Sequence, residues 1–203
     1  MDAAALQHWF EEQKLTLERE YSRHDDPVRQ SGFGGGAERW RAERAPILDA
    51  VDADGDLLDV GCANGYLLES LVTWARERGR AIVPHGVDFS EKFIELAERR
   101  LPQQAAHFRV ANAWDWTPPR KFRFVYALLD AVPREHMGEY ANRLLERCVE
   151  PGGRLIVGHY GSVHRREAPI DVAALLDSAD LPVSGSASGG NPTITRFAWT
   201  DKP

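Results

Sequence analysis

Leu57-Leu58-Asp59-Val60-Gly61-Cys62-Ala63-Asn64-Gly65-Tyr66 is the stretch that decides the fold. A short apolar run ends in an acid and enters a turn with two glycines. Tyr66 to Arg78 then reads as a helix, with Leu67, Leu68, Leu71, Val72 and Trp74 apolar. A buried strand that turns into a helix sets a ligand outside the strand's carboxyl end. Glycines there let the backbone approach what a Cβ would block. The spacing is Asp-x-Gly-x-x-x-Gly. The dinucleotide fingerprint needs glycines where Ala63 and Tyr66 stand, and a P-loop needs a Gly-Lys-Ser/Thr that is absent. The turn is therefore not built for a pyrophosphate or a triphosphate. A carboxylate at Asp59 would repel phosphate and suits a cationic or hydrogen-bond-donating ligand.

Working outward, strands and helices alternate. Ala81–Val87 reads as a second strand, and Ser90 caps a helix carrying Phe93, Ile94 and Ala97. His107–Val110 and Phe122–Leu129 are further strands. Arg134–Cys148 is a helix closed by Pro151-Gly152-Gly153, and Arg154–His159 is a fifth strand. Asp171–Ser178 is helical, Ser184–Gly190 reads as a mobile loop, and Thr193–Thr200 reads as a final strand at an edge or in a hairpin. This alternation predicts an α/β fold with a mostly parallel sheet covered on both faces. Upstream, residues 2–22 read as a helix capped by Asp2, with Leu6, Trp9, Phe10, Gln13, Leu17 and Tyr21 on one side. A glycine-rich loop, Ser31–Gly36, leads to a second helix over Ala37–Val51 that carries Trp40 inward.

The chain has 203 residues, 43% hydrophobic and 28% charged, which predicts one globular domain. A net charge of -6 argues against a nucleic-acid partner, and Arg39, Arg41 and Arg44 read as a solvated helix face. Cys62 and Cys148 form neither a disulfide framework nor a metal cluster. No signal-like start and no run of roughly 18 apolar residues is seen, so a cytoplasmic protein without membrane contact is expected.

Further acids and amides fall at strand ends. Asp88, in Gly86-Val87-Asp88-Phe89, is placed to accept both ribose hydroxyls of a nucleoside, and Phe89 to pack on its base. Asn112, Ala113 and Trp114 follow the third strand and offer polar groups for an adenine edge.

At these residues the sequence resembles the class I S-adenosylmethionine-dependent methyltransferases. The likeness spans roughly residues 55–160, through the glycine turn, Gly86–Ser90, Leu128–Pro133 and Leu145–Leu155. It implies a Rossmann-like, doubly wound, seven-stranded sheet, mostly parallel with an antiparallel last strand. It implies S-adenosyl-L-methionine as cofactor and S-adenosyl-L-homocysteine as product. By the resemblance, Gly61, Cys62 and Gly65 line the methionine part with Asp59 beneath, Asp88 holds the ribose, Phe89, Asn112, Ala113 and Trp114 surround adenine, and Leu128 lies near the sulfonium. Phe122-Arg123 departs from the family's frequent Phe-Asp, a strand-start feature. One domain over 1–203 is expected, with residues 1–51 as an N-terminal helical lid and 52–203 as the cofactor-binding core. Trp40 and the Ser31–Gly36 loop are placed to close over the methionine end.

Methyl transfer needs alignment in a site shielded from water, and a base only where the acceptor carries a proton. Candidates near the ends of the fourth and fifth strands are His159, Asp130, Tyr160 and His136, with local hydrogen bonding the competing role for His159. Tyr126 reads as core. Compactness and acidity favour a small-molecule acceptor. RNA or protein acceptors, or a non-catalytic cofactor-binding module, are the alternatives.

Overall fold

The structure, a computed structural model, describes residues 1–203. Strand β1 (Gly55–Val60) runs through the centre of the protein, and its last four residues are buried. It pairs in parallel with β2 (Ile82–Asp88) on one side and β4 (Phe122–Leu128) on the other. The seven strands lie in the order β3-β2-β1-β4-β5-β7-β6, where β3 is Phe108–Val110, β5 Val149–Tyr160, β6 Gly185–Gly189 and β7 Thr195–Asp201. The order reverses between β1 and β4, and a crevice opens outside the strand ends at such a point. β7 runs antiparallel to both β5 and β6, so it alone opposes the sheet.

Neighbouring residues of each strand serve opposite faces, as the pleat requires. Leu58, Val60, Val125, Ala127, Leu155 and Val157 pack under α5 (Met137–Cys148) and α6 (Val172–Ser178), joined by Leu6 and Phe10 of α1 (Ala3–Tyr21). Leu57, Phe124, Tyr126, Ile156 and Phe197 pack under α2 (Ala37–Arg44), α3 (Tyr66–Glu77) and α4 (Glu91–Arg100). Asp2 caps α1 by accepting from Ala5 N–H at 2.8 Å, and Ser90 caps α4 by accepting from Phe93 N–H at 3.4 Å.

Four readings of the sequence are corrected. The α-helix expected over Ala37–Val51 ends at Arg44 and tightens to a 3-10 helix over Ala45–Ala50, because Pro46 cannot donate its nitrogen to a helical bond. Pro151-Gly152-Gly153 lies inside β5, as a register shift against β4, rather than before it. Ser184–Gly190 is largely β6, an edge strand and not a loop. Its small residues are needed there, because a Cβ at Gly185 would collide with the Trp199 ring. The final strand, β7, is the antiparallel hairpin partner of β6, one of the two places expected for it. Arg44 is buried rather than solvated, with its side chain 8% exposed against 49% for Arg39.

Candidate active site

The glycine turn is held by β2. The N–H groups of Gly61 and Cys62 both donate to the Val87 carbonyl, at 2.8 and 3.1 Å. Gly61, Ala63 and Gly65 all have positive φ (84°, 45° and 73°), which coils the chain tightly before α3. The two glycines serve different ends. A Cβ at Gly61 would meet no protein atom within 4 Å, so that face is open, and Gly61 lines a cavity of about 310 Å³. A Cβ at Gly65 would stand 3.0 Å from Ala97 Cβ. Gly65 therefore lets α3 approach α4 and does not line the cavity.

The cavity gathers most of the residues singled out from the sequence. Asp59, Gly61, Cys62, Asp88, Phe89, Asn112, Ala113, Trp114, Leu128, Trp40, Asp130 and Tyr160 all line it. Asp59 is 2% exposed, and no protein hydrogen bond or cation stabilises its charge. Burial, with Asp88 nearby, pushes its carboxyl up to about 8. Asp88 is 6% exposed, and burial raises it to about 6 even though it accepts from Ser90 N–H at 2.9 Å and Ala63 N–H at 3.0 Å. Two desolvated carboxylates therefore lie near the ends of adjacent strands and line the same cavity as an open glycine, a setting that favours donors and cations. Asn112 spends its side-chain oxygen on Trp114 N–H at 3.0 Å and keeps its amide nitrogen free of protein partners.

His159 does not line the cavity. Its Nδ1 accepts from Ile170 N–H at 3.4 Å, and burial lowers its pKa against the opposing pull of Asp130. His136 also stays outside, with its ring edge-on to Trp114 at 5.4 Å.

Several wall residues went unrecognised in the sequence. Tyr126 lines the cavity, and its hydroxyl meets that of Tyr160 at 2.6 Å. Arg44 lies over the Tyr160 ring at 3.9 Å. Both had a signal: Arg44 is four residues from Trp40 on one helix face, and Tyr126 continues the face of Phe122 and Phe124. Buried Asn64 donates to the Pro27 carbonyl at 2.8 Å and so ties the turn to the N-terminal segment.

The far wall is α1. Trp9, Phe10, Gln13, Leu17 and Tyr21 face the cavity. Tyr21 stacks on Phe93 at 5.4 Å, and Glu18 accepts from Ser90 Oγ at 2.7 Å and Lys92 Nζ at 2.9 Å. No three His, Cys, Asp or Glu side chains come together as a metal site would need, and no helix is long and apolar enough to cross a membrane.

Comparison with known proteins agrees with this geometry. Residues 57–153 match the family model described as a methyltransferase domain. A trans-aconitate 2-methyltransferase of Rhodopseudomonas palustris (strain BisB5) is 32% identical over 151 residues, which cover 73% of this chain and 49% of that protein. The homologous enzyme of strain HaA2 is 35% identical over 118 residues, 57% of this chain and 43% of that one. The chain spans about half the length of the curated relatives it matches. Among solved structures, the N-methyltransferase NodS of Bradyrhizobium japonicum WM9, in complex with S-adenosyl-L-homocysteine, superposes with a TM-score of 0.70 at 20% identity, covering 94% of this chain and 98% of that one. The 1,6-didemethyltoxoflavin-N1-methyltransferase of Burkholderia thailandensis gives 0.68 at 17% identity, covering 100% and 92%. These two show that the fold is shared.

Proposed function

Since the chain belongs, through residues 57–153, to the methyltransferase-domain family, we propose that it transfers a methyl group from S-adenosylmethionine to a small-molecule acceptor. The observation that carries this reading is the pair Asp59 and Asp88, buried near the ends of adjacent strands and lining one cavity with the open Gly61. The residues fit the donor: Asp88 has acceptor capacity for ribose hydroxyls, Asp59 faces its cationic part, Phe89 and Trp114 offer faces for the base, and Asn112 offers an amide nitrogen. When bound, S-adenosylmethionine supplies a methyl carbon made electrophilic by its sulfonium.

The chain's own contribution is placement and exclusion of water. In this reading residues 1–51 act as a lid over the core of 52–203, with α1 closing the base end and Trp40 the other. Asp130 and Tyr160 remain as groups able to hold an acceptor's proton, whereas His159 lies off the wall. The largely apolar lining and the net charge of -6 support a small acceptor over nucleic acid.

Incubation with S-adenosylmethionine and separate pools of small carboxylates, phenols, amines, bulk tRNA and bulk protein tests the reading. S-Adenosylhomocysteine should form with a small-molecule pool. Turnover confined to tRNA or protein would contradict the acceptor assignment.

A further inference from the structure

With Asp88 at the ribose and Asp59 at the donor's cationic part, Asp130 is left as the unassigned carboxylate of the cavity wall. It stands in the 3-10 turn Leu129–Ala131 that follows β4. Asp130 is exposed, and so reachable by a ligand, yet the protein packed around it raises its pKa against the pull of His159 and Arg165. No other residue donates a hydrogen bond to its carboxylate. Arg44 is the single Lys or Arg of the wall, and Glu43 already meets it at 3.0 Å. The cavity therefore keeps an unpaired acid and no unpaired cation.

Three phenols of the wall, those of Tyr21, Tyr140 and Tyr160, lie within electrostatic reach of Asp130. Tyr21 ends α1 and stacks on Phe93 at 5.4 Å, and no protein group bonds its hydroxyl. Tyr140, on α5, is 1% exposed, and its hydroxyl has no partner. Burial raises all three pKa values, that of Tyr21 to about 12, and Asp130 raises them further, so the phenols stay neutral. Neutral, electron-rich rings beside an unpaired carboxylate attract an ammonium group. An anionic acceptor would meet like charge there instead.

We propose that the acceptor is an amine, held as its ammonium by Asp130 with the hydroxyl oxygens of Tyr21 and Tyr160 as further acceptors, and that Asp130 is the base. The inference rests on the methyl-donor reading above and names the acceptor's class. Asp130 takes one ammonium proton, and the freed nitrogen lone pair forms a bond to the donor's methyl carbon. The carbon–sulfur bond breaks with its electron pair left on sulfur. A methylated ammonium and S-adenosylhomocysteine result, and the proton on Asp130 passes to solvent. Tyr21 thereby makes α1 a part of the acceptor site and not a cover alone.

Sinefungin tests this without a known acceptor, because it places an amine where the donor carries its transferable methyl. Calorimetry should show wild-type protein binding sinefungin about 10-fold or more tighter than S-adenosylhomocysteine. Asp130→Asn should remove that preference and Tyr21→Phe should reduce it, with S-adenosylhomocysteine affinity in both held within about threefold of wild type. Among pooled acceptors, amines should yield S-adenosylhomocysteine. Equal binding of the two ligands by wild-type protein overturns the inference, and this comparison decides even if neither variant folds. So does an Asp130→Asn protein that keeps the full preference for sinefungin, or turnover confined to carboxylates or phenols. Wild-type protein that binds neither ligand would remove the methyl-donor reading itself, and the inference with it.

Discussion

The Asp88 carboxylate accepts the backbone N–H of Ala63 at 3.0 Å, linking the end of β2 to the coiled turn after β1. Ala63 holds a φ of 45°, unusual for a residue with a side chain, and this bond helps fix it. One residue thus shapes the turn and presents a carboxylate beside it.

Asp88→Ala should therefore fail twice. It leaves two N–H groups, of part-buried Ala63 and buried Ser90, without their acceptor, at a cost of about 1–3 kcal/mol of stability. It should also abolish S-adenosylhomocysteine binding. Denaturant unfolding measures the first effect and calorimetry the second. Near-normal ligand binding in a folded Asp88→Ala protein would show that Asp88 does not hold the ligand.

The two glycines of the turn should separate stability from binding. Gly61→Ala adds a Cβ in open space, so the fold bears only left-handed strain of about 1–2 kcal/mol while ligand binding drops sharply. Gly65→Val bears the same strain and also strikes Ala97, so stability should fall by about 2 kcal/mol or more. Any binding loss in Gly65→Val should track unfolding. Thermal melts with and without ligand distinguish the two patterns.

Acid–base behaviour gives an independent check. Burial raises Asp88 to about 6 and Asp59 to about 8, so the native protein keeps protons that the unfolded chain has released. Above the ordinary aspartate pKa and up to these values the native state binds more protons. These two groups therefore make ligand-free stability fall as pH rises through that window. A cationic, hydroxyl-donating ligand prefers the ionised carboxylates. Its affinity should rise between about pH 5.5 and pH 8.5, with proton release on binding. Calorimetry in buffers of different ionisation heat reads this, and a flat affinity would contradict the roles given to both acids.

His159→Ala should keep kcat/KM within about threefold of wild type, with an unshifted pH profile, because the ring is engaged by Ile170 outside the cavity. Loss of the alkaline or acidic limb of that profile would restore His159 as a base.

The core of the fold was legible because local and global signals coincide in it. The run from Leu57 to Tyr66 carries strand, turn and helix signals in ten residues, and the register of β1 with β2 places Asp59 and Asp88 at neighbouring strand ends. The periphery was less legible. β6 is made of glycine, serine and alanine, a composition typical of loops, and only its neighbours in space explain its glycines: the Trp199 ring against Gly185, and Ala42 and Thr195 against Gly189. The burial of Arg44 had one local mark, Trp40 four residues earlier on the same helix face, but the rest of its cage comes from Phe33 and distant Tyr160. Of the two roles the sequence left open for His159, the structure places the ring in the local one, bonded to Ile170 N–H, because a position at a strand end does not say which way a side chain leaves the sheet.

Titration of the wild-type protein with S-adenosylhomocysteine tests the central claim most directly. Saturable binding at one site per chain is expected, with micromolar or tighter affinity, lost in Asp88→Ala. Absence of binding by a folded protein near pH 8 would contradict the assignment of this cavity to a methyl donor.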